Sequence, residues 1–217
     1  MLYIVSTPIG NLEDITLRAL RILKEVDHIA AEDTRHTKIL LNKYEIKTPL
    51  LSYHSHSSDA KTETIIDRLK DGESIAVVSD AGTPGISDPA YKLIKRAVEE
   101  GIQVSPVPGA SSLLAALVMS GLPMDKFLYL GFLPVKKGRQ TLLENLKDEK
   151  RTIVIFESTH RILKTLNQLD DYLPGRQVAV CREITKIHEE AFRGTLKEAH
   201  DYFSSKSQKG EFVLVIN

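Results

Sequence analysis

Val78-Ser79-Asp80-Ala81-Gly82-Thr83-Pro84-Gly85-Ile86-Ser87-Asp88-Pro89 is the stretch on which the reading of this chain turns. An apolar run, Ser74 to Val78, leads into it, and an amphipathic segment, Ala90 to Glu100, leads out. A Gly- and Pro-rich turn at the carboxyl end of a buried strand is where open α/β sheets bind their ligands. The loop offers two glycines for close backbone approach, two stiffening prolines and two acids, but no lysine. That absence points away from a phosphate cradle and towards a small ligand with no triphosphate to neutralise.

On both sides of this loop, strand and helix signals alternate. Strands are predicted at residues 2–6, 27–31, 49–52, 74–78 and 102–107. A helix is predicted from the N-cap Asn11 through Leu12, Ile15, Ala19, Ile22, Leu23 and Val26, and others at Thr34 to Leu41 and Asp59 to Lys70. The helix after the opening loop has Asp88 as its cap, Pro89 in its first turn and Gly101 just past its end. An almost wholly apolar helix follows Pro108-Gly109-Ala110-Ser111-Ser112 and runs to Met119. Repeated βα units imply a parallel sheet with helices on both faces. Ser120-Gly121-Leu122-Pro123 reads as a linker, which divides the chain into an N-terminal α/β domain, 1–119, and a C-terminal mixed α/β domain, 120–217. Strands in the latter are predicted at 127–131, 151–156, 177–183, 189–193 and 211–216, with helices near 137–147, 159–169 and 196–203. The strands flanking Thr185 to His188 have no helix between them and should pair antiparallel.

Composition narrows the function. Twenty-nine Lys and Arg balance twenty-nine Asp and Glu over 217 residues, so no overall basic field advertises nucleic acid, and any such binding has to come from local patches. Cys181 is the only cysteine, which rules out an internal disulfide and a cysteine-based zinc site and favours a cytoplasmic setting. No run approaches the length of a membrane span, and Met1 leads straight into Leu2-Tyr3-Ile4-Val5 without a basic, apolar leader.

In a parallel sheet the loops Thr7–Gly10, Glu32–His36, Ser79–Pro89 and Pro108–Ser112 emerge on one edge and converge on one crevice. Within Glu32-Asp33-Thr34-Arg35, either Asp33 or Thr34 caps the next helix, or Glu32 and Asp33 accept from a hydroxyl or cation while Arg35 clamps an anionic substrate. His54 and His56, flanking Ser55, lack the further ligands a metal needs and read as a surface loop touching substrate, so no metal is expected. In the second half, Phe156-Glu157-Ser158-Thr159-His160-Arg161 ends a strand and opens a helix, and Arg182-Glu183-Ile184-Thr185-Lys186 mixes charges at a strand end. Lys136, Lys137 and Arg139 form a basic cluster that, with Lys164, Arg161 and Lys186, could make a phosphate-binding rim.

These segments, together with Ser6-Thr7-Pro8-Ile9-Gly10-Asn11-Leu12, Val107–Ser112, Gly131-Phe132-Leu133-Pro134 and Gly210-Glu211-Phe212, occur in an order that resembles the RNA-modifying branch of the tetrapyrrole methylase superfamily. The resemblance runs from residue 1 to 217. It implies a two-domain tetrapyrrole-methylase-like fold, a parallel-sheet N-terminal domain and a mixed-sheet C-terminal one, with S-adenosylmethionine between them. It also implies a homodimer and methyl transfer to the ribose 2′-oxygen of a cytidine in 16S rRNA of the small ribosomal subunit. Members of this branch usually continue into a small helical extension, whereas this sequence stops after Glu211–Asn217.

Residue by residue, the resemblance implies that Pro8, Asp80, Gly82, Pro84, Ile86, Ser111 and Ser112 line the cofactor from the first domain, and that Phe156, Cys181 and Gly210 approach it from the second. S-adenosylmethionine carries a sulfonium, an adenosine and an amino acid but no phosphate, which suits a loop without lysine. A ribose hydroxyl is a poor nucleophile, so a base or cation that lowers its pKa would help, and the candidates are Glu32, Asp33, Glu183 and Lys186. Lysine could act as a base only with a depressed pKa. Arg35 and Arg182 read as holders of RNA phosphate. Two other expectations compete: a tetrapyrrole-type small-molecule methyltransferase of the same fold, and a non-catalytic module binding S-adenosylmethionine or RNA.

Overall fold

Short apolar strands, the central ones buried at nearly every position, build the first half of the molecule. The computed structural model describes residues 1–54, 59–206 and 208–217, which cluster into two units, Met1–Ser111 and Ser112–Asn217. In the first unit β1 (Leu2–Val5), β2 (His28–Ala31), β3 (Leu50–Ser52), β4 (Ile75–Val78) and β5 (Val104–Val107) form one sheet in the order β3-β2-β4-β1-β5. Every pairing is parallel. Leu2, Ile4, Ile75 and Val77 share one core with Ile66 and Leu69 of α3 (Asp59–Lys70) and Leu93 and Ala97 of α4 (Ala90–Glu99). Val5, Ala76 and Val78 share the other with Leu23 of α1 (Leu17–Glu25) and Leu41 of α2 (Thr34–Lys43). Full burial of each such aliphatic side chain contributes about 1.5–3 kcal/mol. A slip of one residue would exchange the two faces, so the register is strongly specified.

Two local departures from the sequence reading have clear causes. The single helix predicted after Asn11 is a 3-10 turn, Leu12–Asp14, followed by α1. Ile15 and Thr16 are extended between them, and Thr16 Oγ1 accepts from the Ala19 N–H at 3.1 Å, so the hydroxyl starts a helix of its own. Asp88 caps α4 from one residue further out than predicted. Its Oδ1 accepts from the N–H groups of Gly85, at 2.7 Å, and Ala90, at 2.9 Å, while Pro89 occupies the N-cap position.

The apolar helix α5 (Ser112–Ser120) clusters with the second unit. Arg193 Nε donates to the Ser120 carbonyl at 3.2 Å, tying the end of α5 to that unit's sheet. The sheet comprises β6 (Phe127–Phe132), β7 (Thr152–Ser158), β8 (Gln177–Arg182), β9 (Glu190–Thr195) and β10 (Glu211–Ile216) in the order β6-β7-β10-β8-β9. Only β6 and β7 pair in parallel, and β8 and β9 are antiparallel as the missing connecting helix predicted. Helices α6 (Arg139–Asn145), α7 (Ile162–Tyr172) and α8 (Leu196–Ser204) complete the unit, whose core includes Ile153, Leu166, Phe203 and Leu214. Among the described residues no helix is long and apolar enough to cross a membrane.

Candidate active site

The four strand-end loops of the first unit are hydrogen-bonded to one another. Thr7 and Gly82 form a two-way backbone bridge, N–H to carbonyl at 2.9 and 3.1 Å. Thr7 Oγ1 donates to the Ser79 carbonyl at 3.1 Å, and the Ser6 and Thr83 hydroxyls pair at 2.9 Å. Thr83 Oγ1 in turn donates to the Ala110 carbonyl at 3.5 Å. The loop after β2 joins through the Asp33 N–H, which donates to Asp80 Oδ1 at 3.0 Å. These bonds hold the ends of β1, β2, β4 and β5 in one rigid rim, the convergence that a parallel sheet demands.

Gly82 has φ +79°, and a Cβ there would meet Ile9 Cγ2 at 3.4 Å and the Ala110 carbonyl at 3.7 Å. The glycine therefore serves the left-handed turn that reaches Thr7, and what a side chain would cost there is the positive φ, since its Cβ would make only ordinary van der Waals contacts. Pro8 and Pro84 are buried and Asp80 is half-buried, whereas Ile86 leaves 43 % of its surface exposed. Ser111 and Ser112 are half-buried where the last loop meets α5.

Acid chemistry dominates this rim. Burial, and then the nearby charges of Asp80 and Asp88, push the Glu32 pKa above the usual carboxylate value. None of Glu32, Asp80 and Asp88 takes part in an ion pair among the described residues. Unneutralised carboxylates beside an exposed apolar side chain suit a ligand with positive charge and an apolar body, and the sulfonium and ammonium of S-adenosylmethionine meet that description. Asp33 is already committed. It caps α2 by accepting from the Arg35 N–H at 2.8 Å and holds the Arg35 guanidinium at 2.7 Å, hydrogen bonds that keep its pKa well below the usual carboxylate range. Asp33 is thus the helix cap, and Arg35, its side chain 89 % exposed, is paired with that cap. His54 is half-buried, while Ser55 and His56 lie outside the described residues. Among the described residues no group of three or more His, Cys, Asp or Glu is placed to hold a metal ion.

In the second unit Glu183, Lys186, Gly210 and Glu211 form a compact group at the ends of β8 and β10. Glu183 Oε1 accepts from the Glu211 N–H and from Lys186 Nζ, each at 3.0 Å, and Lys186 also reaches Glu211 Oε2 at 3.0 Å. Burial works against both charges, yet these bonds hold the Glu183 pKa below and the Lys186 pKa above their ordinary values. Lys186 thus stays protonated, and the depressed pKa that a lysine base requires is not what the site produces. Gly210 has φ +117°, and a Cβ there would lie 2.7–2.8 Å from the Glu183 side chain.

Three other residues have partners of their own within the protein. Arg182 Nε donates to the Lys209 carbonyl at 2.7 Å and its Nη1 reaches Glu190 at 3.3 Å, so it holds β8, β9 and the chain before β10 together. The Cys181 thiol is fully buried, donates to the Ala116 carbonyl at 3.8 Å, and has a pKa pushed up to about 11 by burial, which makes it a core group. Arg139, grouped with Lys136 and Lys137 by sequence, is 8 % exposed and bonds to Gln168 at 2.9 Å, the Pro134 carbonyl at 3.0 Å and Thr165 at 2.8 Å. Thr165 passes the contact to Glu157 at 2.7 Å, and Arg161 grips Glu157 through two bonds, 2.8 and 3.0 Å. This buried network escaped sequence reasoning, although Glu157 at the end of an apolar strand with Arg161 four residues on was its signal. Arg161 and Lys186 are therefore engaged within the protein, and Lys136, Lys137 and Lys164 remain exposed. Phe156 is half-buried and packs edge-on to Tyr129 and Phe132 at centroid distances of 5.2 and 5.8 Å.

Known proteins are similar to this chain in sequence and in fold. The profile of the Tetrapyrrole (Corrin/Porphyrin) Methylases matches residues 1–200. Ribosomal RNA small subunit methyltransferase I of Halalkalibacterium halodurans is 51% identical over 99% of this chain and 75% of its own length. Its namesake in Thermotoga maritima is 51% identical over 100% of this chain and 97% of its own. Among solved structures, uroporphyrin-III C-methyltransferase from Thermus thermophilus, complexed with S-adenyl homocysteine, superposes with a TM-score of 0.67 at 18% identity, covering 99% of this chain and 96% of that one. A parallel five-stranded sheet followed by a mixed one, with a full-length match to these relatives, makes this chain a member of the tetrapyrrole methylase family, in the group of the ribosomal RNA small subunit methyltransferases I.

Proposed function

We propose that this chain transfers the methyl group of S-adenosylmethionine to the ribose 2′-oxygen of a cytidine in 16S rRNA of the small ribosomal subunit, working in the cytoplasm as a homodimer. The observation that carries this reading is 51% identity along the whole chain to relatives named for small-subunit ribosomal RNA methylation. The tetrapyrrole enzymes are far more distant in sequence, at 18% for the uroporphyrin-III enzyme. When bound, S-adenosylmethionine supplies an electrophilic methyl carbon. Asp80, oriented by the Asp33 N–H, and Asp88, oriented by the Gly85 and Ala90 N–H groups, offer fixed negative charge to a cationic ligand. Pro8, Gly82 and Pro84 give the rim its rigid shape, and Ile86 gives it an apolar surface.

Glu32 is the base in this reading. It is the one candidate among Glu32, Asp33, Glu183 and Lys186 whose raised carboxylate pKa favours taking a proton from a hydroxyl. The folded protein holds the Glu32 proton more tightly than the unfolded chain does. The stability that follows is present below the unfolded pKa and is lost as pH rises through the folded one. Glu32→Gln is thus expected to raise the melting temperature at neutral pH while sharply lowering methyl transfer. Unchanged turnover in that variant would remove Glu32 from the chemistry.

The function is tested by calorimetric titration with S-adenosylmethionine beside a nucleoside triphosphate, followed by labelled-methyl transfer to small ribosomal subunits and to porphyrinoid precursors. Binding of S-adenosylmethionine alone and labelling of the subunits alone is the expected outcome. Labelling of porphyrinoids, or cofactor binding with no transfer to subunits, would overturn it. Lys136 and Lys137 are the proposed phosphate contacts. The double variant Lys136→Ala, Lys137→Ala is expected to flatten the salt dependence of single-stranded RNA binding by roughly 0.7 in log–log slope per lysine. An unaltered slope would return both to ordinary surface.

A further inference from the structure

Phe132, the last residue of β6, leaves 54 % of its surface exposed. It is not loosely held. One edge rests against Phe156, at 5.8 Å between centroids and 71° between planes, and Phe156 is itself braced by Tyr129. The backbone that follows is clamped at two successive carbonyls: Arg161 Nη2 donates to Leu133 O and Arg139 Nη1 to Pro134 O, each at 3.0 Å. Both guanidiniums are anchored from behind, Arg161 on the buried Glu157 and Arg139 on Thr165 and Gln168. Immediately after this clamp come Val135, 69 % exposed, and the exposed Lys136 and Lys137, neither of which makes an ion pair among the described residues.

An aromatic ring braced by its neighbours, four and five residues ahead of two lysines that make no ion pair among the described residues, on a chain with no net charge, has the chemistry of a single-stranded nucleic-acid contact. Every base has a π-face that stacks on such a ring, and each neighbouring lysine can take a backbone phosphate. Because the loop is already ordered, little conformational freedom remains to be lost on binding. We propose that Phe132 is a stacking platform for an unpaired base of the RNA substrate, with Lys136 and Lys137 holding phosphates of the same strand. This inference rests on the RNA methyltransferase reading and specifies where that enzyme grips a single-stranded stretch.

The test compares Phe132→Ala, Phe132→Leu and Phe132→Tyr with the wild type. Anisotropy of a fluorescently labelled single-stranded RNA reports affinity, labelled-methyl transfer to small subunits reports activity, and calorimetry with S-adenosylmethionine reports cofactor binding. Sedimentation reports oligomeric state. Phe132→Ala and Phe132→Leu are expected to weaken RNA binding about tenfold, and Phe132→Tyr to stay within about twofold of wild type, since only the π-face matters. Cofactor affinity, melting temperature and salt slope are expected to hold, because both lysines remain. Wild-type RNA affinity in the leucine variant, from an enzyme that methylates subunits, would overturn the platform while leaving the function intact. A changed oligomeric state with RNA affinity unaltered would assign the ring to a protein contact and overturn it too. Failure of the wild type itself to bind RNA or label subunits would defeat the underlying reading, and the platform with it.

Discussion

Glu157→Ala is expected to lower the melting temperature by about 10 °C, the largest stability effect of any single substitution considered for this molecule. Glu157 is 2 % exposed and lies at the centre of a network that accepts from Arg161, Thr165 and the Ser158 N–H. Removing the carboxylate leaves Arg161 without its counter-charge and deprives Arg139, through Thr165, of its link to that charge. Breaking a buried pair from one side costs about 3–5 kcal/mol, far more than the pair contributes relative to apolar replacements. For a chain of this size each kcal/mol corresponds to about 2–4 °C. The pH dependence has a definite sign. Burial opposes the charge, but the Arg161 and Thr165 bonds keep the Glu157 pKa below its ordinary value. The stabilisation is therefore present above the unfolded pKa and disappears as pH falls through the lower, folded one. Thermal unfolding followed by circular dichroism at neutral and acidic pH checks both points. A shift of only a degree or two at neutral pH would show that the network is not the structural anchor of β7 and α7.

Gly210→Ala is expected to reduce methyl transfer about a hundredfold while leaving the protein folded, because Gly210 is a proposed cofactor contact and about 1 Å of misplacement at such a site costs that much. Two independent features produce the effect. The backbone has φ +117°, which L side chains rarely adopt, and the new methyl would lie 2.7–2.8 Å from Cγ, Cδ and Oε1 of Glu183. Glu183 cannot give way cheaply, since its Oε1 accepts from both the Glu211 N–H and Lys186 Nζ and its own φ is +51°. Displacing it releases Lys186 from one of two carboxylates. The expected signature is a loss in turnover with unfolding temperature lowered by only a few degrees, measured by labelled-methyl transfer beside thermal unfolding. Full turnover in the alanine variant would remove Gly210 from the proposed cofactor contacts.

Much of the first unit was legible because its strands and helices obey simple periodicities. Ile75 to Val78 is apolar without interruption, as a strand covered on both faces must be, and Leu93 and Ala97 repeat at helical spacing on α4. Short βα connections then forced the loops onto one edge. Side-chain partners were less legible, because pairing depends on which elements meet. Asp33 caps α2 and holds the Arg35 guanidinium, a pairing that spacing alone does not show. Arg139 reads as one more base after Lys136 and Lys137, yet the turn of α6 carries it inward to Thr165 and Gln168, partners 26 and 29 residues away. Lys186 reads as a conceivable base in sequence, yet Glu183 and Glu211 hold it in the protonated form.

From local patterning alone come the two α/β units, the parallel and mixed sheets, the converging loops and the lysine-free Ser79–Pro89 turn, since each follows from residue spacing within a few turns or strands. Tertiary structure alone decided which carboxylate carries a raised pKa, which arginines are buried, which unit claims α5, and that Phe132 stands exposed on a clamped loop. The physical reason is the same in every case. Propensity and hydrophobic period act between neighbours in sequence, whereas burial, charge and hydrogen bonding act between neighbours in space, and those neighbours are set only when the sheets have formed.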